Sequence, residues 1–217
     1  MSLDDDQISA DPIYDALKEA IMTGALPPGE PLRQEEIARN HGVSKIPVRE
    51  ALLRLEVDGL VLFRKNKGAI VRGHTPDEIL NLMDIRSALE CKALELAVPN
   101  FVESDLAAAR SLLDTYSHET TSEAWSKLNL QFHRCLYEPC ANHLLLEMIQ
   151  DVGVRMGPST RMLVSETSGL KRPHQEHVAI LDAVAAGDTD RAVDLLRRHI
   201  ETTKKEIAAR LRRRPQG

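Results

Sequence analysis

The run "RQEEIARNHGVSKIPVREALLRLEVDGLV" at residues 33–61 constrains this chain more than any other stretch. Its first part reads as a short helix ending at Gly42, a residue able to take the left-handed conformation of a tight corner. Ser44 then offers an N-cap, and Pro47 falls in a first turn, where an amide hydrogen has no partner within the helix. The proline marks a start and breaks nothing. Val48, Ala51, Leu52 and Leu55 follow at i, i+3, i+4, i+7 and make one buried stripe. Lys45 and Arg49, one turn apart, share another face near the N-terminus, and Gly59 closes the helix. Two helices joined by so short a corner pack as a helix-turn-helix, with the first turns of the second facing outward.

The flanks extend the motif. "DPIYDALKEAIMTG" predicts a preceding helix with Asp11 as N-cap, Pro12 in the first position, a stop at Gly24, and Ile13, Leu17, Ala20 and Ile21 as its apolar stripe. The prolines of "ALPPGEPL" make it a turn or short strand. Beyond the second helix, "LVLFRKNKGAIVRG" gives two β-rich runs, residues 60–63 and 69–72, around a cationic tip. This is a hairpin wing carrying Arg64, Lys65, Lys67 and Arg72 and no acid.

A net charge of −5 argues against a nucleic-acid partner until its distribution is followed along the chain. Residues 1–32 hold seven acids and one lysine, whereas residues 33–72 hold nine Lys or Arg against five acids. That basic island carries the helix-turn-helix and the wing. Ser44, Lys45 and Arg49 supply hydroxyl and cationic donors for phosphates and guanine edges. A solvated basic face is the plainer reading of the charges alone. The ordered succession of corner glycine, N-cap, basic face and basic wing favours DNA. Only Phe63 is available to stack on bases, so the partner is duplex rather than single-stranded.

From Thr75 onward no strand pattern occurs, and with aromatics at 3% the core must come from aliphatic side chains. Thr75 and Glu78 make a capping box, and about six amphipathic helices with short connections follow. Gly157-Pro158 should interrupt one of them, and Gly187-Asp188 should turn a helical hairpin. The expected fold is mainly α: an N-terminal winged helix-turn-helix and a C-terminal all-α antiparallel bundle. Residues 1–10 form an acidic, disordered lead, residues 11–73 the DNA-binding domain and residues 74–214 the bundle. The basic tail at residues 204–214 suits a solvated helix end. No run of about 18 apolar residues exists to span a membrane, the N-terminus lacks a signal's apolar core, and three cysteines make no disulfide framework. A cytoplasmic protein is expected.

His177 lies ten residues before Gly187 and His199 twelve after it. At a rise of ~1.5 Å per residue, an antiparallel hairpin brings both to nearly one height, within roughly 3 Å axially. His133, with Asn129 one turn before it, can complete a three-imidazole cluster inside the bundle. Each histidine taken singly also fits a satisfied core or surface position. His174, one turn from His177, competes for the place.

The run from Leu32 to Val61, followed by a wing glycine, resembles the DNA-binding domain of the GntR superfamily of bacterial transcription regulators, across residues 12–72. That resemblance implies Arg33, Ser44, Lys45, Pro47 and Arg49 at or near DNA, and Lys67 and Gly68 at a wing tip reaching the minor groove. The chain has Lys45 and Ile46 where the family usually has Arg and then Thr, which keeps the charge and loses the bidentate fork. "IRSALECKALELA", "NLQFHRCLY" and "EHVAILDAVAAGDTDRAVDLLRRHI" resemble the FCD effector domain of the FadR-like branch, across residues 75–210. Many such domains hold a divalent metal through positions matching Asn129, His133, His177 and His199, and sense small carboxylates. Asn129 stands where aspartate is common; a neutral amide leaves more positive charge on the ion and favours nitrogen-preferring Zn²⁺ or Ni²⁺. Arg86 matches the family arginine that faces the cavity, although a surface i,i+4 pair with Glu90 accounts for it equally.

The expectation is therefore a homodimeric repressor on a palindromic operator, with affinity modulated by a small carboxylate bound near the metal and Arg86. Two other readings stay open: a regulator for which the ion itself is the signal, and a hydrolase whose three histidines activate water. Against the last, no general base pairs with the cluster in the sequence.

Overall fold

Helix α1 (Ala10–Thr23) buries Ile13, Leu17 and Ile21 of the stripe its spacing predicts and leaves Ala20 half-buried. The computed structural model describes residues 10–65, 68–169 and 171–213; the acidic lead before residue 10, Lys67 and the last residues of the tail lie outside them. Ala10 is already helical, so Asp11 sits within the first turn rather than at the N-cap. There its carboxylate faces the positive helix end and accepts a short ion pair from Arg54.

After strand β1 (Pro31–Leu32) come α2 (Gln34–His41) and α3 (Lys45–Val57), followed by β2 (Val61–Arg64) and β3 (Gly68–Val71). Gly42 adopts φ 66° between the two helices, and Val43 N–H donates to Ala38 O at 2.9 Å, closing the corner. Val48, Ala51, Leu52 and Leu55 of α3 are each 0% exposed and pack on α1. Burying leucines so completely is worth about 1.5–3 kcal/mol apiece. Tyr14 and Lys18 of α1 both donate to Asp58, which caps the C-terminus of α3. β1, read from the sequence only as a turn or short strand, pairs antiparallel with β3, giving a three-stranded order β1-β3-β2. That long-range pairing of Leu32 with Ala69 seats the wing on the head's core, where both are buried. This first compact unit takes in the chain up to Gly73 together with residues 157–159.

The second unit begins at His74 and is all-helical among its described residues. It contains α4 (Pro76–Ala97), α5 (Glu103–His118), α6 (Ser122–Tyr137), α7 (His143–Ser168), α8 (Lys171–Ala185) and α9 (Thr189–Arg213). The capping box that opens α4 is formed: Glu78 N–H donates to Thr75 Oγ1 at 3.2 Å, and Thr75 N–H to Glu78 Oε2 at 2.9 Å. Gly157 interrupts α7 with φ 65° and ψ 168°, the break its Gly-Pro pair foretells. α8 and α9 form the hairpin around Gly187, and α9 also packs along α4. Met83, Leu94, Phe132, Leu136, Ile180 and Leu196 fill the centre, each 0% exposed. No helix among the described residues is long and apolar enough to cross a membrane, and the three cysteines are free thiols.

Candidate DNA-binding surface and metal centre

The outward end of α3 is built by subtraction. Its apolar stripe is consumed by the head's core, which leaves Ser44, Lys45, Ile46 and Arg49 exposed and Pro47 half-buried at the first turns. Ser44 holds the N-cap position, but its hydroxyl makes no capping hydrogen bond. Lys45 forms an ion pair with Glu35 of α2 at 2.5 Å, and that ammonium holds the Glu35 carboxyl below its ordinary value. Arg49 and Arg33, also exposed, have no ion pair among the described residues. Gly68 opens β3 at φ 70° and is exposed; Lys67 lies outside the described residues. The sequence did not disclose that Glu35 engages Lys45, because ten residues and a corner separate them.

In the bundle, His133 of α6, His177 of α8 and His199 of α9 come together, buried at 2%, 0% and 6% exposure. Their Nε2 atoms face one another: His177 Nε2 lies 3.2 Å from that of His133 and 3.3 Å from that of His199. One ligand nitrogen from each lies within 4.8 Å of the other two. His174 does not join them; its Nε2–H donates to Leu113 O at 3.3 Å and its ring stacks on Tyr116. Asn129 sits half-buried one turn before His133, with no hydrogen bond to the cluster among the described residues.

The outer atoms of the rings decide which nitrogens carry lone pairs. Tyr137 donates its hydroxyl hydrogen to Glu90 Oε2, so its oxygen is left to accept from His133 Nδ1 at 2.8 Å. Glu90 Oε2 itself is 3.2 Å from the same Nδ1. Nδ1 of His133 is therefore protonated, and the 3.2 Å approach of Arg86 Nη2 to it is a close contact between donors. His199 Nδ1–H donates to Glu176 Oε2 at 2.6 Å, and that carboxylate also accepts from Arg172 at 2.5 Å. Two Nε2 lone pairs thus point toward His177 Nε2. His177 Nδ1 is buried with no hydrogen-bond partner among the described residues.

Electrostatics keep the rings neutral. Burial, with the Arg86 charge adding to it, pushes His133 down to about 4. Burial and the two neighbouring imidazoles hold His177 well below its usual value, and burial lowers His199 against the upward pull of Glu176. Neutral imidazole is the ligating form. Burial pushes the Glu90 carboxyl up, but Arg86 and the hydrogen bond with His133 outweigh it and hold it at about 2. Arg86 Nε donates to Glu90 Oε1 at 2.6 Å, so the i,i+4 pair exists, but it is an interior pair beside the cluster rather than a surface one.

Nitrogens sharing one ion at about 2.0–2.1 Å in a tetrahedral arrangement stand roughly 3.3 Å apart. The two adjacent Nε2 separations match that spacing, so the donor set fits a divalent metal. Sequence reading passed over Glu176 and Tyr137. Tyr137 lies one turn after His133, a detectable spacing, whereas Glu176 meets His199 only across the α8–α9 hairpin.

Residues 9–71 match the family model described as bacterial regulatory proteins, gntR family, and residues 81–202 match the FCD domain. The chain belongs to the GntR family. Among its relatives is the HTH-type transcriptional repressor GlaR of Escherichia coli, 30% identical over 87% of this chain and 91% of that protein. In solved structures the chain is similar to McbR/YncC of E. coli, with a TM-score of 0.73 and 26% identity over 93% of this chain and 97% of the other. A putative GntR regulator from Rhodococcus sp. RHA1 superposes with a TM-score of 0.75 at 25% identity, over 92% and 97% of the two chains. This GntR protein is accordingly a DNA-binding transcription regulator, not an enzyme.

Proposed function

We propose that this regulator binds a palindromic operator as a homodimer in the cytoplasm and acts as a repressor. Residues 11–73 bind DNA through Arg33, Ser44, Lys45, Pro47, Arg49 and the wing at Lys67 and Gly68. Residues 74–214 hold a divalent metal, Zn²⁺ or Ni²⁺, on His133, His177 and His199, with Asn129 placed to add an amide oxygen. A small carboxylate effector binds at the metal beside Arg86. The observation that carries this reading is the convergence of two fixed Nε2 lone pairs on a third buried imidazole. When bound, the metal supplies a Lewis-acidic anchor for an anionic group. The chain's residues orient the rings, exclude water and place Arg86 next to the site.

A ligand shifts operator affinity only by as much as its affinities for the two states differ, typically 5–150-fold in regulators, roughly 1–3 kcal/mol. Operator binding titrated separately with metal and with carboxylates tests the proposal. Carboxylates should weaken binding in metal-loaded protein and leave the metal-free protein unchanged. One observation favours the ion as the signal instead: Glu90 already occupies Arg86. If metal alone moves operator affinity and no carboxylate adds to it, that second reading holds.

A further inference from the structure

Three neutral imidazoles and a neutral amide would leave a buried divalent cation with its whole charge uncompensated by direct ligands. Isolated charge in a protein interior is expensive, so a centre of this composition requires anions close behind its ligands. Glu90 and Glu176 stand there. Glu90, 5% exposed on α4, meets His133 of α6 both directly and through Tyr137. Glu176, half-buried on α8, takes the Nδ1–H of His199 on α9.

We propose that Glu90 and Glu176 are the anionic outer shell of this metal centre, supplying from behind the imidazoles the negative charge that Asn129 does not. The inference rests on the metal reading above. Each carboxylate has two effects on its histidine. It fixes the Nδ1–H tautomer, which aims the Nε2 lone pair inward, and it makes the ring a more electron-rich donor. The surrounding cations set how much of each charge reaches the centre. Arg86 balances Glu90 at 2.6 Å. Arg172 is shared between Glu176 at 2.5 Å and Glu206 at 2.6 Å, so that group retains one net negative charge. Set against a divalent ion, the sum leaves one positive charge, which a single effector carboxylate neutralises. His177 Nδ1 has no hydrogen-bond partner among the described residues, which makes it the weakest donor of the three.

The test is isothermal titration of the full-length protein with Zn²⁺ and with Ni²⁺. Glu90→Gln and Glu176→Gln are each expected to weaken metal binding by roughly 10–100-fold. Asn129→Asp is expected to restore most of that loss in either glutamine variant and to add less in the parent protein. The visible spectrum of the Co²⁺-loaded protein should shift in both glutamine variants while operator binding without metal stays near the parent's. Thermal melting should stay near the parent's in Glu176→Gln and fall in Glu90→Gln, which leaves the interior Arg86 guanidinium without its anion. Glu176 is only half-buried, so its variant keeps the test open if Glu90→Gln does not fold. Metal affinities within about twofold of the parent in the folded glutamine variants, or an equal gain from Asn129→Asp in every background, overturn the proposal. If the parent binds metal and His133→Ala abolishes it while the glutamine variants bind normally, only the outer-shell assignment fails. A parent protein that takes up no metal defeats both readings together.

Discussion

Arg49 and Lys45 share a helix face but not an environment. Glu35 neutralises Lys45, whereas Arg49 is exposed with no ion pair among the described residues. If both contact DNA as proposed, a phosphate or guanine must displace Glu35 from Lys45 but no ion-pair partner among the described residues from Arg49. Arg49→Ala should therefore cost more operator affinity than Lys45→Ala, about 1–3 kcal/mol if the guanidinium reads a base. Fluorescence anisotropy across a salt series checks this; equal losses would show that Glu35 does not hold Lys45 back. Ile46 stands 70% exposed between them, a large apolar side chain in a polar surface. A thymine methyl is the apolar feature of the major groove. Ile46→Ala should weaken binding to thymine-bearing operators and have no effect on the same operators made with uracil. In the bundle, His133→Ala combined with His177→Ala should remove bound metal, measured by mass spectrometry of the metal content, while metal-free operator binding remains measurable.

At the scale of elements, the head is held by α1 against α3, and the polar tie between them is the Tyr14–Lys18–Asp58 group. Burial raises the Asp58 carboxyl, but hydrogen bonds from Tyr14 and Lys18 outweigh it and bring it below its ordinary 3.8. A carboxyl depressed by folding contributes stability above its unfolded value and loses it as pH falls through the folded one. Asp58→Asn should thus destabilise the protein near neutral pH, with the difference shrinking as pH drops below about 4. Denaturant melts followed by circular dichroism at the two pH values check the sign; a gap that widens in acid would exclude this tie. The corner between α2 and α3 depends on backbone rather than contacts. Gly42 sits at φ 66° with nothing within 4 Å of where a Cβ would lie, so Gly42→Ala should cost about 1–2 kcal/mol from conformation alone.

Across the whole molecule, the proposed effector and metal act only through a difference in how the second unit, so loaded, lets the first hold DNA. Homodimerisation should appear as twice the monomer mass in sedimentation, and metal plus an active carboxylate should lower operator affinity by the 5–150-fold typical of such coupling, roughly. Most of the architecture was legible along the chain because it is written in local signals. The α3 stripe, the Thr75 capping box, the Gly157 break and the Gly187 hairpin each follow from residues within a few positions of one another. Helical periodicity also brings His177 and His199 level, since a hairpin relates them by simple counting. Tertiary structure alone decided what lies beyond that range. It paired Leu32 with Ala69 across the sheet, tied Lys45 to Glu35, and moved the Arg86–Glu90 pair from the surface to the edge of the histidine cluster. It also brought Glu176 onto His199, joining residues 23 positions apart. The reason is physical: periodicity and caps act through neighbouring backbone, whereas charge partners and proton placement depend on which helix faces meet once the core has closed.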